Sequence, residues 1–312
     1  GNPNNTIAKQ MALIGINLNS YPLNSLPILT SDQITQIAGA LGLVVNPYLG
    51  VQPLVVDQDY KNPRATQVGA GVEREIMSGI TVAADFTYVK TDYLQRNREL
   101  NLGVPEPRAT DPAQRPIFPT ARPNTLLGSV QLREASAESE FTALTLSNRV
   151  RKPWGLVSVN YVLAKSMSDD DNERDAGGVQ YEDTYDLSPE WGPARLDRRH
   201  QFNGYVVYFG PYNLDLSTGF RFLSGVPIDA SFGRDINNSR GGADRPYSGP
   251  GQPFARNGFR NEPFKDVNFR VSWGVEFAGT RKAIVTADFF NIFNWNNIQL
   301  TGTAVTNYCA GT

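Results

Sequence analysis

The side chains of this sequence that could do chemistry are concentrated in polar stretches rich in Asp, Arg and Gly. One stretch begins at Ser168 and reads Ser-Asp-Asp-Asp-Asn-Glu-Arg-Asp-Ala-Gly-Gly. Its carboxylates alternate along the chain, at Asp169, Asp171, Glu173 and Asp175. Carboxylates at this spacing can converge on Ca²⁺, which takes about six to eight oxygen ligands. The stretch lacks the glycine and the distal glutamate of an EF-hand loop, so a solvated acidic loop is the favoured interpretation and a Ca²⁺ site the alternative.

A second stretch, from Gly233 to Tyr247, mixes cationic and acidic or amide side chains. Guanidinium groups bind carboxylates and phosphates through paired hydrogen bonds, so such a loop could bind a polar ligand. The same groups could instead bond one another and hold the loop together. The candidate ligand-binding residues are Arg234, Asp235, Asn237, Arg240, Asp244 and Arg245.

Other catalytic or metal-binding signals are weak. The sequence has one histidine, His200, and one cysteine, Cys309, which makes a zinc site of Cys and His ligands a poor interpretation. His200 follows two arginines at the start of a β-like segment, where we expect a structural role. We find no phosphate-binding glycine loop and no nucleophile elbow, so we expect no enzyme activity and no cofactor apart from the Ca²⁺ considered above.

The composition excludes several classes of protein. The chain has 312 residues with 29 Lys+Arg and 31 Asp+Glu, and this balance argues against a nucleic-acid-binding protein. No apolar run approaches the roughly 20 residues of a membrane helix. The sequence begins without the basic and apolar stretches of a secretory signal, so it is either cytoplasmic or an internal piece of a longer, processed chain. The 28 glycines, 21 prolines and 11% aromatic residues indicate β-structure with long loops.

Apolar and polar residues alternate with a period of two in several segments, which predicts β-strands with one apolar face. The pattern is unbroken over 266–277, where every odd position is apolar: Val267, Phe269, Val271, Trp273, Val275 and Phe277. It recurs in 80–88 and 214–222 and is weaker in 157–163. Four noisier segments have suitable lengths and β-formers: 66–76, 139–150, 198–209 and 282–293.

The length of these segments favours a membrane protein. They run to about ten to thirteen residues, whereas strands of globular proteins usually have about five or six. About 9–11 tilted residues cross a bilayer, so we predict an all-β fold, an antiparallel transmembrane β-barrel portion with eight spanning strands. The alternative is a soluble β-sandwich with one solvated face. In a barrel the polar faces line the lumen, with Asn213, Asp215, Arg221, Asn268, Arg270 and Glu276 among the lining residues.

The connections follow the pattern of outer-membrane barrels, which have short periplasmic turns and long external loops. Short links follow Glu75 and lie near Pro153, Pro211 and Gly279. Long stretches occupy 92–138, 167–197 and 225–264, and within the first of these we interpret 128–135 as a hairpin arm. Residues 61–312 form the barrel portion. Residues 1–60 form an external loop or cap with one short helix, because Ser31 is a suitable N-cap before an apolar face that ends near Gly42.

From about Lys61 onward the order of segments resembles the C-terminal barrel of TonB-dependent outer-membrane receptors of the Oar-like group. Six stretches carry the resemblance: Lys61-Asn-Pro-Arg-Ala-Thr-Gln, Ser158-Val-Asn-Tyr-Val-Leu-Ala-Lys-Ser-Met-Ser-Asp, Leu196-Asp-Arg-Arg-His-Gln-Phe, Asp244-Arg-Pro, Phe259-Arg-Asn and Asp288-Phe-Phe-Asn-Ile-Phe-Asn. The first 60 residues carry little of it.

The resemblance implies a 22-stranded barrel around a plug domain, energised by an inner-membrane TonB complex. The plug, the TonB-contacting segment, the earlier strands and the closing strand are not found in this sequence, so we expect a C-terminal portion of a longer receptor. Its partners would be outer-membrane lipid and the missing strands and plug. The expected function is binding and transport of a bulky substrate at the cell surface. A surface structural or adhesive β-protein that assembles with partner chains is the second interpretation, and a soluble binding module is the third.

Overall fold

The fold was analysed in a computed structural model, which describes residues 53–107, 110–125, 127–170, 181–239, 244–277, 279, 281–300 and 306–307. Eight long strands form a single sheet. They are β1 (Arg64–Met77), β2 (Ile80–Glu99), β3 (Gln131–Lys152), β4 (Gly155–Ser168), β5 (His200–Phe209), β6 (Leu214–Leu223), β7 (Phe264–Phe277) and β8 (Arg281–Phe289). Each strand pairs antiparallel with the next in sequence, so the eight predicted strands and their up-and-down order are confirmed.

The register aligns most apolar residues of the eight strands on one face, with exceptions such as Ile284, Val162 and Val207 on the other. Residues at facing positions of an antiparallel pair project from the same side of a sheet. One row of facing positions crosses the whole sheet through Phe289, Phe269, Thr218, Val206, Val157, Val150, Ile80 and Met77. Side chains alternate between the two sides of a strand, so most apolar side chains lie on one side of the sheet, which we call the apolar face. Most polar side chains lie on the other side, the polar face.

Short turns join the strands at one end of the sheet. The turn between β1 and β2 contains Gly79, whose φ of 71° is in the left-handed region that favours glycine. A Cβ atom at this position would lie 2.2 Å from the carbonyl oxygen of Arg151. The turn between β5 and β6 is a 3₁₀ turn over Pro211–Asn213, in which Tyr212 and Asn213 have φ values of 60° and 58°. These turns match the short links expected from the sequence.

Two strands continue past the others at the opposite end. The stretch expected as a separate hairpin arm is the beginning of β3, which pairs with the end of β2 from Glu99↔Gln131 to Leu94↔Ala137. A register shift between Thr91 and Leu94, where Tyr93 has a φ of 62°, separates this extension from the regular sheet. The short strand Leu54–Val56 pairs parallel with Gln131–Arg133 and widens the extension to three strands.

The remaining elements are short and, apart from Thr306–Asn307 after β8, belong to the long connections. The structure contains a 3₁₀ turn over Ser188–Glu190 and the short strands Glu106–Pro107, Pro116–Ile117, Gly192–Pro193, Pro227–Ile228, Ala230–Ser231, Tyr247–Gly249, Gln252–Pro253, Phe259–Arg260 and Thr306–Asn307. In the described ranges no helix is long and apolar enough to cross a membrane. The helix expected near Ser31 and the rest of residues 1–52 lie outside the described residues.

Burial is concentrated in the long connections rather than in the sheet. Phe118 is 1% exposed and Leu102 3%, and both lie in the connection between β2 and β3. By contrast, β1 and β8 are exposed along their whole length. They occupy the two edges of the sheet and do not pair with each other, so the sheet is not closed into a cylinder in the described residues. Among the described residues, the best-packed part of the molecule is therefore the group of long connections at one end of the sheet.

Candidate functional site

The three long connections pack together at one end of the sheet and contain the sequence's candidate ligand residues. We call the described residues of 100–130, 181–199 and 224–263 the loop body. An ion pair between Arg245 and Glu190 joins the second connection to the third, with Nη2 and Oε1 2.6 Å apart. The two side chains are 3% and 7% exposed, and Nη1 of Arg245 also donates to the carbonyl oxygen of Pro189 at 3.2 Å. Buried charges are retained only when they are paired and hydrogen-bonded, so this contact fixes the two connections relative to each other.

Glu182 links the same two connections beside this ion pair. Its Oε2 accepts a hydrogen bond from the backbone N–H of Arg245 at 2.8 Å, and its carbonyl oxygen accepts one from Nδ2 of Asn237 at 2.8 Å. Burial raises the pKa of Glu182 to about 7, and the nearby carboxylate of Asp244 adds to the increase. Burial also raises the pKa of Glu190. The site is therefore rich in carboxyl groups held away from water.

Asn237 and Asp244 organise the third connection and tie it to the first. Oδ2 of Asp244 accepts the backbone N–H groups of Ile236 and Asn237, at 2.5 and 2.9 Å. Asn237 is completely buried, and its carbonyl oxygen accepts the N–H of Phe118 at 2.8 Å. Nδ2 of Asn238 donates to the carbonyl oxygen of Phe118 at 3.2 Å. All three connections are thus bonded into one body.

The five candidate ligand residues that the structure describes divide into two groups. Asn237, Asp244 and Arg245 are buried and bonded within the loop body, as in the alternative of a self-bonded loop network. Arg234 and Asp235 are exposed on the surface of the same connection. Arg240 lies outside the described residues. Of the described candidates, Arg234 and Asp235 therefore lie at the surface, and the other three are bonded beneath it.

Of the four candidate Ca²⁺ ligands, the structure describes Asp169. Its Oδ2 pairs with Nη2 of the buried Arg96, and its Oδ1 accepts the backbone N–H of Glu138 at 2.7 Å. Asp171, Glu173 and Asp175 lie outside the described residues. Within the described part of the chain, no group of three or more His, Cys, Asp or Glu side chains is arranged to hold a metal ion.

The polar face of the sheet contains five of the six candidate lumen residues. Asp215, Arg221, Asn268, Arg270 and Glu276 share this face, and Asn213 lies in the turn before β6. Arg270 binds Asp288 of β8 through two contacts, of 2.5 Å from Nε and 3.1 Å from Nη2. A row of facing polar residues crosses four strands through Asn160, Asn203, Arg221 and Asp266. The face of the sheet opposite the apolar face is therefore a polar, hydrogen-bonding surface.

Comparison with known proteins identifies the family. The sequence model of the outer membrane beta barrel domain matches residues 16–255. The chain belongs to this family. It lies in the outer membrane, and this location overturns the soluble-sandwich alternative, as does the single sheet formed by the eight long strands.

The barrel domain is also similar in structure to outer-membrane transporters. For the outer membrane transporter YddB from Escherichia coli the identity is 12% and the TM-score 0.49, over 79% of this chain and 31% of the transporter. For the FrpB iron transporter from Neisseria meningitidis the identity is 12% and the TM-score 0.43, over 79% of this chain and 29% of the transporter. The chain thus spans less than a third of either transporter. No curated protein matches it.

The barrel domain contains buried polar contacts that the sequence analysis did not single out as sites. Asp197 is 3% exposed and pairs with Arg260, and Asn261 exchanges two hydrogen bonds with the backbone of Leu300, at 2.8 and 3.0 Å. Asp197 belongs to the stretch Leu196-Asp-Arg-Arg, and Arg260 and Asn261 belong to the stretch Phe259-Arg-Asn, on both of which the family resemblance rests. In the sequence, the family motifs were therefore the signal that pointed to these buried contacts. Glu182 and Glu190 belong to none of the six stretches that carry the resemblance.

His200 of the barrel domain lies at the start of β5, on the apolar face. Its Nδ1 is 2.8 Å from the hydroxyl of Tyr161, and the two rings stack with centroids 6.2 Å apart. This arrangement agrees with the structural role expected from the sequence. Among the described residues, His200 belongs to no group of three or more His, Cys, Asp or Glu side chains that could hold a metal ion.

Proposed function

We propose that this barrel domain is part of a TonB-dependent outer-membrane receptor of the Oar-like group, which binds a bulky substrate at the cell surface and transports it. The observation that carries the proposal is the apolar face that runs across eight long antiparallel strands, with a mainly polar face on the other side. A transmembrane barrel with an aqueous lumen requires this arrangement. The polar face lines the path of the substrate.

The open edges support a larger barrel. In lipid, each unpaired backbone group costs several kcal/mol, and among the described residues both β1 and β8 present such an edge. Further strands must therefore cover both edges in the membrane. In the proposed receptor these strands belong to a 22-stranded barrel, and a plug domain fills its lumen.

The loop body supports a surface-binding role. It lies at the end of the sheet opposite the short turns, which in outer-membrane barrels is the external end. Exposed Arg234 is presented there on a bonded base and offers a guanidinium to a polar ligand, with Asp235 exposed beside it. Binding there, followed by movement of the plug driven from the inner membrane by TonB, would pass the substrate along the polar face.

In vivo cross-linking of the full-length receptor tests the proposal. Cells are treated with formaldehyde, the receptor is purified, and cross-linked TonB is sought by mass spectrometry. The expected result is a receptor–TonB adduct that disappears when the receptor's N-terminal region before the barrel is deleted. An adhesive or structural surface protein would give no such adduct, and its deletion would reduce cell attachment instead, an outcome that would overturn the transport proposal.

A further inference from the structure

Glu182 lies where all three connections of the loop body meet. The residue is 5% exposed, and its carboxyl group accepts a hydrogen bond from the backbone N–H of Arg245 in the third connection. The hydroxyl of Tyr247, also in the third connection, faces this carboxyl group. From the first connection, the guanidinium of Arg115 lies 5.7 Å from the ring centre of Tyr247. The charge state of Glu182 therefore acts on contacts that hold the three connections together.

The surrounding charges leave an ionised Glu182 poorly compensated. Arg245 is the cation nearest in the network, but its guanidinium is bound to Glu190 and to the carbonyl oxygen of Pro189. Asp244 adds a second carboxylate beside Glu182 and is itself bonded to backbone N–H groups. An additional buried negative charge is costly in such a place, because burial removes water from the carboxyl group and the carboxylate of Asp244 stands beside it.

We propose that Glu182 is a pH-sensitive latch, which in its protonated form holds the three connections together as one body and on ionisation favours their release. The direction follows from linkage. The pKa of Glu182 is about 7 in the closed body, and it returns to the ordinary value of about 4.3 once the carboxyl group is exposed to water. Because the pKa is higher in the closed state, closure is most favourable at low pH and weakens as the pH rises from about 4.3 through 7.

Backbone hydrogen exchange of the full-length protein in native outer-membrane vesicles tests the latch. Peptides that contain Phe118, Glu182 and Asn237 report the first, second and third connections. Between pH 6 and pH 8 the opening constant of all three, corrected for the intrinsic exchange rate, should rise about tenfold together. A peptide from the middle of β4, 157–163, should not change.

Two variants isolate the carboxyl group. Glu182→Gln removes the titrating group and should reduce the change to less than about threefold; the remainder belongs to Asp244 and Glu190. Asp186→Asn neutralises an exposed carboxylate of the same connection and should behave like the wild type. The proposal fails if the wild type does not respond to pH, if the three connections respond separately, or if Glu182→Gln keeps the full response. The wild-type comparison stands even if Glu182→Gln does not fold, and none of these outcomes depends on whether the protein transports a substrate.

Discussion

Arg260 binds Asp197 twice: Nη2 contacts the carboxylate Oδ2 at 2.5 Å, and Nη1 donates to the carbonyl oxygen at 2.8 Å. Oδ1 of Asp197 accepts the N–H of Ser166 at 2.6 Å. One buried aspartate thus joins the end of β4, the approach to β5 and the connection before β7. The loop body is anchored to the sheet at this point.

Replacing Asp197 by Asn should loosen this anchor. The change removes the charge that binds Arg260, and the cost should be about 1–3 kcal/mol, at the lower end because Arg260 is 39% exposed and water compensates it in part. Limited proteolysis of the protein in membranes should then cleave 181–199 faster than in the wild type. Glu106→Gln, at an exposed carboxylate of the first connection, is the control and should leave the cleavage rate unchanged.

A single arginine placed on either face of β7 distinguishes lipid from lumen. Val271→Arg, on the apolar face, should cost about 2–4 kcal/mol if that position faces the bilayer near its middle. Ser272→Arg, one residue further along and on the polar face, should cost much less. The measurement is urea unfolding in phospholipid vesicles, and equal costs for the two variants would show that the faces are assigned wrongly.

Removing one partner of the buried Arg245–Glu190 ion pair should lower the stability of the loop body more than removing both partners. Arg245→Met leaves Glu190 buried without its guanidinium, which typically costs about 3–5 kcal/mol. The double variant Arg245→Met, Glu190→Met removes both charges and should regain a large part of this loss. Hydrogen exchange of 181–199 measures both effects, and a double variant at least as unstable as the single one would contradict the assignment.

Two glycine substitutions test the importance of turn geometry. Gly79→Ala places a Cβ atom 2.2 Å from a carbonyl oxygen at a φ of 71°, so the hairpin of β1 and β2 should lose more than about 1 kcal/mol. Gly219→Ala is the matched control, because a Cβ atom there meets open space. Both are compared by unfolding in vesicles. A loss at Gly219 as large as that at Gly79 would mean that strain in the turn is not the cause.

Sequence periodicity predicted the sheet because a membrane-spanning strand repeats its environment every second residue. Val267 to Phe277 show this most clearly, and each of the eight predicted strands is present. The extension of β2 and β3 was harder to predict, since residues such as Glu134 and Ser136 lie beyond the regular sheet and do not follow the apolar alternation.

The loop body could be predicted only in part. Contacts such as Asn237 with Phe118, or Arg245 with Glu182, join residues far apart in the chain, and no local pattern encodes them. The stretch from Gly233 to Tyr247 was correctly singled out as polar and Arg-rich. Whether its side chains point outward or inward depends on the other two connections, so composition alone left both interpretations open.

The directions of the two edge strands, β1 and β8, limit how the sheet can close into a barrel. β1 runs from the loop body towards the short turns, and β8 runs back towards the loop body. A strand added beside either edge must run opposite to its neighbour if every pair is to stay antiparallel. The number of added strands that complete the barrel must therefore be even. An odd number, such as one added strand, would leave one pair of neighbouring strands parallel.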